Sequence, residues 1–398
     1  MEKLAEPLLK VYTELENNFP EVVEWRRYLH QHPELSFQET ETANFIAEKL
    51  RSFGYKQIQT NVGGYGIVAA LEGYKPGPTI ALRADFDALP ITDEKDVSYR
   101  SKSPGVMHAC GHDGHTAALL GTAKVLLENR ESFKGKIVLL FQPAEEAPPG
   151  GARAMIEDNA LNGVDYVFGA HLDSSVPVGK IALGDGFKMA AVDKFAITVQ
   201  GKGGHGAAPQ ETVDPIVIGS DIVSALQKIV SRRVSPLDSA VVTLGVFQSG
   251  QAFNVIPDTA RLEGTVRTFD ADVRQKVKQQ IHKIVEGITS GFDATFQIDY
   301  LEGYPALYNH PKETELLQKL FAEQFDKANL VPLRTGMGAE DFSYYLQEKP
   351  GSFFKVGSRN EDPATHYSHH HPKFDIDERA LLLTEKAFTK IIFSILGN

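Results

Sequence analysis

Two aliphatic runs, TIALRA at 79–84 and KIVLLF at 136–141, constrain the fold more than any other feature of this sequence. Each is nearly unbroken and rich in large aliphatic residues. Such a strand suits a mainly parallel sheet covered on both faces, because an exposed face would require polar alternation. Between them the spacing at 116–127 predicts a helix (Ala117, Leu120, Ala123, Leu127). Further apolar bursts at 66–71 and 166–170 predict two more strands, and helices are predicted at 21–29 and 38–53, the first closed by Pro33. Strand, helix and strand at these lengths specify a three-layer α/β domain with a mixed sheet.

The pattern changes near Gly184. A strand at 190–200, a helix at 215–231, strands at 240–247 and 260–267, a helix at 271–290 and a strand at 294–300 follow in β-α-β-β-α-β order. That is the order of a ferredoxin-like α+β unit. The remaining chain offers a helix at 312–327, the segment GMGAEDF, a strand at 352–357 and an amphipathic helix at 378–396. It has too little strand to stand alone and is expected to complete the first sheet. The expected organisation is therefore 1–185 with 301–398 as one domain, and 186–300 as an inserted lid; a chain of 398 residues exceeds what one core normally supports.

Charge narrows the functions. Lys plus Arg is 41 against 52 for Asp plus Glu, a net charge of −11, and no basic stretch offsets it, so a nucleic-acid partner is not expected. No run approaches the roughly 20 apolar residues of a membrane helix, and no membrane partner is expected. The start, MEKLAEPLLKVYTELE, has no basic region followed by an apolar run. With a single cysteine, which suits a reducing compartment, the expectation is a cytoplasmic protein.

That cysteine lies among histidines. Three of the thirteen histidines fall in HACGHDGH (His108, His112, His115), His171 follows a predicted strand, and His366, His369, His370 and His371 crowd THYSHHHP. Thiolate and imidazole at Cys110 and His112 suit a borderline cation such as Zn²⁺ or Mn²⁺. Glu145 and Glu146 follow the strand at 136–141, where α/β sheets bind ligands. Adjacent carboxylates point different ways, so one can coordinate while the other serves as base. Asp85 and Asp87 follow TIALRA and can either orient a metal-bound imidazole or cap a turn. His205 is flanked by glycines, and Asn254 with Arg267 offers an amide and a guanidinium for a substrate carboxylate. Cys110 as a nucleophile paired with His112 or His115 leaves the carboxylates and the distant histidines idle.

In these motifs the chain resembles the M20 metallopeptidase family, in its branch of N-acyl-amino-acid deacylases, hippurate hydrolases and auxin-conjugate hydrolases. RADFDALP, MHACGHDGHTA, FQPAEE, GAH, GGHGAAP, NVIPDTARLEGTVR, GAEDFSY and HHPKFDID carry the resemblance in order along nearly the whole chain. It implies two divalent metals (Mn, Zn, Co or Ni) held by Cys110, His112, Glu146, His171 and His370, the last chosen because it stands two positions before Pro372, with His369 and His371 adjacent. It implies Glu145 as general base, Asp87 as the supporting aspartate, His205 reaching a substrate oxygen, and a homodimer built through the lid. Where relatives often have glycines after the glutamate pair, this chain has APPGG. The reaction implied is amide hydrolysis of a small N-acyl, chiefly N-acetyl, amino acid or a related small amide conjugate. The alternatives are a dipeptidase or small-peptide carboxypeptidase with the same site, and a binding protein that retained the fold.

Overall fold

The computed structural model describes residues 6–397 and divides into two compact units. Of the described residues, the first comprises 6–188, 308–334 and 341–397, and the second Met189–Leu307 with Thr335–Glu340. The division falls a few residues beyond the expected 185 and 301, and the short return Thr335–Glu340 groups with the second unit.

In the first unit an eight-stranded mixed sheet carries the core. Its strands β1 (Gln57–Val62), β2 (Gly66–Glu72), β3 (Thr79–Asp85), β4 (Lys136–Gln142) and β5 (Tyr166–Pro177) lie in the order β1-β2-β4-β3-β5. Ile181–Leu183, Leu330–Pro332 and Gly351–Arg359 complete it, so the C-terminal segment does supply two of its strands. β3 pairs in parallel with β4 and β5, while β1 and β2 are antiparallel. The central strands are buried along almost their full length, as TIALRA and KIVLLF require.

Three helices precede or follow these strands: α1 (Glu6–Gln31), α2 (Thr40–Phe53) and α3 (His112–Glu128). The first runs straight through Pro20 and is far longer than the expected 21–29. A proline ring deletes one backbone hydrogen bond, but Leu8, Val11, Tyr12, Leu15, Val22, Trp25 and Leu29 all bury on both sides of it, and that packing holds the helix together. Helix α3 is buried nearly all round, with α1 and the terminal helix Arg379–Ile395 packed against it. It starts four residues before the expected 116, which places His112 and His115 in its first turn. The strand β1, QIQTNV, is mostly exposed and polar, which is why no apolar run marks it.

The second unit has a four-stranded antiparallel sheet ordered Ala240–Ser249, Thr259–Thr268, Ala191–Gln200, Thr295–Glu302. In chain order that is 2-3-1-4, the ferredoxin-like topology. The helices Pro215–Arg232 and Ala271–Gly291 are each capped by an aspartate, Asp214 and Asp270, whose carboxylate accepts from two backbone N–H groups of the first turn. Phe195, Ile197, Ile218, Ile222, Leu262 and Ile281 form its core. No described helix is long and apolar enough to cross a membrane.

Gly169 on β5 leaves no room for a methyl group, since a Cβ there would sit 2.8 Å from the Phe342 ring and 2.9 Å from that of Phe353. Gly169→Ala is therefore expected to destabilise the protein by about 1–3 kcal/mol through overpacking. Urea unfolding measures it, and an unchanged midpoint would contradict this packing.

Candidate metal centre

The parallel pairing of β3, β4 and β5 brings three carboxyl-end segments together. Asp85 ends β3 opposite Gln142 at the end of β4, and Arg83 pairs with Gly169, two residues before His171. Glu145 and Glu146 leave β4 a few residues later. Gly111, at φ 97°, sits between Cys110 and His112, and this left-handed turn sends the chain into α3 with both side chains on the same side as the glutamates. Ala144 and His370 also adopt left-handed backbone, at φ 54° and 66°. Such conformations cost on the order of 1–3 kcal/mol in residues with a Cβ and cluster at functional sites. Here they present the glutamate pair and the C-terminal histidines. A hydrogen bond from the His370 N–H to the Ala109 carbonyl, 2.8 Å, ties the latter to the cysteine loop.

Three groups of donor atoms overlap here, two of them sharing the thiol and the third made of His112, His115 and His171. Those of Cys110, His112 and Glu146 lie within 4.8 Å of one another, and so do those of Cys110, His171 and His369. His370 Nε2 stands 3.3 Å from Glu146 Oε1. The tautomers follow from the partners. His112 Nδ1 faces only acceptors, the Asp87 carbonyl at 3.0 Å and carboxylate at 3.1 Å, so it carries a proton and leaves Nε2 as the nitrogen turned toward Cys110 and Glu146. His171 Nδ1 donates to the Leu172 carbonyl at 2.6 Å, which leaves its Nε2 free, 3.5 Å from Cys110 Sγ.

The other two imidazoles are already engaged. His115 Nε2 accepts from the Leu172 N–H at 2.9 Å while Nδ1 donates to Asp85 at 2.6 Å, so both nitrogens are used. His369 Nε2 accepts a long 3.4 Å bond from the Ser174 N–H, which puts the proton on Nδ1, facing the cysteine sulfur at 3.7 Å. Burial pushes His369 down to about 4, and it stays neutral.

His112 Nε2 and Glu146 Oε1 are buried without a hydrogen-bond partner and point toward each other at 3.8 Å. Two orphaned donors beside a thiol are what a divalent cation satisfies. The field agrees. Burial opposes a charge on His112, yet Asp85 and Asp87 hold it well above the usual imidazole range. His370 is pushed up to about 10 by the Cys110 thiol and the Glu146 carboxylate beside it. Burial opposes the charge on Asp87 as well, and the bonds from His112, the Glu146 N–H and Ser36 outweigh it, keeping it ionised. The pocket asks for positive charge.

All five expected ligands thus meet at one site, with Asp87 behind His112. Glu145 is buried, and its carboxylate lies within 4.8 Å of that of Asp341. His205 belongs to the second unit, exposed on a short pairing with Val255; the Ala207 N–H donates to its Nδ1 at 3.0 Å, so Nε2 carries the proton. Asn254 adjoins it, accepting from the Gly206 N–H, whereas Arg267 lies apart on Thr259–Thr268 and bonds Thr265. Sequence reasoning missed the contributions of His369, of Arg83 and of Asp341. The GAEDF segment carried part of the resemblance with no role given to its acids, yet Asp341 accepts from Arg83, Gln142 and the Ala152 N–H. An acid inside an otherwise weakly patterned segment was the available signal.

Residues 81–394 match the family model described as Peptidase family M20/M25/M40. The chain is 52% identical over 377 residues to "Putative amidohydrolase YhaA" of Bacillus subtilis, covering 95% of each chain. It is 46% identical to the N-acetyl-L-cysteine deacetylase of the same organism, over 90% of this chain and 84% of that one. It is 43% identical to thermostable carboxypeptidase 2 of Saccharolobus solfataricus, over 93% and 95%. The crystal structure of Bacillus subtilis YXEP protein, described as a dinuclear metal binding peptidase from the M20 family, superposes with a TM-score of 0.82 at 36% identity, covering 96% and 99%.

The two histidines of the first turn of α3 should separate on mutation. His112→Asn is expected to abolish uptake of at least one metal ion, while His115→Asn keeps the metal stoichiometry and lowers the melting temperature. Elemental analysis beside thermal unfolding reads both, and metal loss tracking His115 would reverse the assignment.

Proposed function

The chain belongs to peptidase family M20/M25/M40, and we propose that it hydrolyses the amide bond of N-acyl amino acids, with N-acetyl amino acids as the chief substrates. It is a metal-dependent amidohydrolase. The observation that carries the reading is the facing pair of orphaned donors, His112 Nε2 and Glu146 Oε1, beside Cys110, with Glu145 buried one residue before Glu146.

In this reading Cys110, His112, Glu146, His171 and His370 hold two divalent cations (Mn, Zn, Co or Ni). Such ions, when bound, polarise an amide carbonyl and lower the pKa of water. Asp87 keeps the proton on His112 Nδ1, and His369 and the Leu172 carbonyl orient Cys110 and His171. Glu145 stays outside the ligand set. It takes the proton of the attacking water and returns it to the leaving amine. His205 of the second unit is protonated on Nε2 and so offers a donor for an oxyanion, while Asn254 and Arg267 offer an amide and a guanidinium for a substrate carboxylate.

The second unit also supports a homodimer. Ile216, Val217, Phe247 and Val255 are exposed there, and Ala240–Ser249 is an edge strand of its sheet. Exposed apolar side chains beside an open strand edge suit a second copy of the chain.

Glu145→Gln is expected to retain bound metal and lose at least about 100-fold in kcat, whereas Glu146→Gln weakens metal binding; metal loss on Glu145→Gln with full turnover on Glu146→Gln would exchange the two roles. His205→Ala should keep its metal and lose roughly 3–4 kcal/mol of transition-state stabilisation, read as a fall in kcat/KM. A panel of N-acetyl amino acids and dipeptides, assayed with added Mn²⁺, Co²⁺ or Zn²⁺, tests the substrate class. Faster turnover of the dipeptides would favour the peptidase reading, and no turnover of either panel would contradict both.

A further inference from the structure

Behind the metal centre lies a second buried cluster of charge that the reaction does not use. Arg26 of α1 is fully buried, and its guanidinium meets three carboxylates from two other parts of the chain. Nε donates to Asp113 at 2.9 Å, Nη2 to Asp375 at 2.8 Å, and Nη1 reaches Glu378 at 3.3 Å. Asp113 is the residue after His112. Asp375 lies on the segment that carries His369 and His370.

The surroundings reinforce the same tie. His30, one turn along α1, bonds Asp113 at 2.7 Å. Tyr99 donates to the second oxygen of Asp375 at 2.7 Å, with the Arg26 guanidinium 4.9 Å from its ring centroid. The Lys95 ammonium donates to the Phe374 carbonyl at 2.9 Å, and the Glu94 N–H donates to that of Pro372 at 2.9 Å. Arg26 therefore joins both ligand-bearing segments, with His30 adding a second tie to the first and the loop at 93–99 further ties to the second.

We propose that Arg26 is a positioning residue that locks the Cys110–His112 turn and the His369–His370 segment at the separation the two metal ions need. The guanidinium is a planar fork whose donor directions are fixed, so the carboxylates it joins are held in relative position as well as neutralised. A buried ion cluster is a poor source of stability, because desolvation cancels most of its attraction and apolar residues of the same volume often serve as well. Geometry is what it supplies here. Arg26, its partners and the histidine segment all lie in the first unit.

The proposal rests on the ligand assignment above, and the test keeps the two apart by measuring metal binding without substrate. Full-length protein, stripped of metal, is titrated with Zn²⁺ against a chromophoric chelator, with circular dichroism recording the folded fraction. Arg26→Lys and Asp375→Asn are compared with the wild type, and Tyr99→Phe serves as a milder variant that leaves the guanidinium paired. The expected result is a folded protein whose zinc affinity falls by about tenfold or more for the first two, the scale of losing an outer orienting partner, and by less for Tyr99→Phe. The double variant Arg26→Lys with Asp375→Asn should lose little beyond the worse single one, since both break one tie. Folded variants that melt earlier yet bind zinc like the wild type would overturn the proposal. Wild-type protein that takes up no zinc would instead overturn the ligand assignment.

Discussion

Asp85, Asp87, Glu145 and Asp341 are all buried at one end of the large sheet, and carboxylates removed from water persist there only where cations or hydrogen-bond donors meet them. Arg83 answers for two, donating to Asp85 at 2.6 Å and to Asp341 at 2.9 Å. His112, Ser36 and the Glu146 N–H answer for Asp87. Glu146 Oε1 and His112 Nε2 are left over. These two atoms face each other where thiol, imidazole and carboxylate converge, and a divalent cation satisfies both with the donor types present.

The sheet makes that convergence possible. Parallel pairing of β3 with β4 and β5 aligns their carboxyl ends, so acids after two strands and a histidine on the third share one edge. Burial on both faces keeps these strands rigid. That rigidity matters because a metal site tolerates little displacement of its ligands. The left-handed backbones at Ala144 and His370 hold the catalytic loops in shapes that local preference disfavours, and the packed scaffold beneath them supplies the constraint.

Much of this was legible in the residues. TIALRA and KIVLLF announced the sheet because strands buried on both faces need unbroken apolar runs. The β-α-β-β-α-β order of the second unit followed from periodicity alone. Residue types and spacing brought out Cys110, His112, Glu145, Glu146 and His171, since few other chemistries use them together. Other features were hidden for physical reasons. The strand β1 pairs through its backbone and exposes polar side chains, so it carries no apolar signature. Pro20 stands inside α1 because tertiary packing outweighs one missing hydrogen bond. Nothing in the sequence marks Arg26, and only the folded chain shows that distant acids surround it. The division of labour between His369 and His370 depends on which nitrogen meets the Ser174 N–H, which no spacing encodes.

The central claim is that the orphaned donors around Cys110 exist to hold metal. Crystals of the metal-loaded protein, measured with anomalous scattering at the absorption edge of the added ion, test it most directly. Two peaks are expected in the first unit, with one ion at about 2.3 Å from Cys110 Sγ and others of its ligand atoms, His112 Nε2 among the set, at about 2.0–2.2 Å from an ion. A peak coordinated by His115, or no peak within reach of Cys110, would contradict the account.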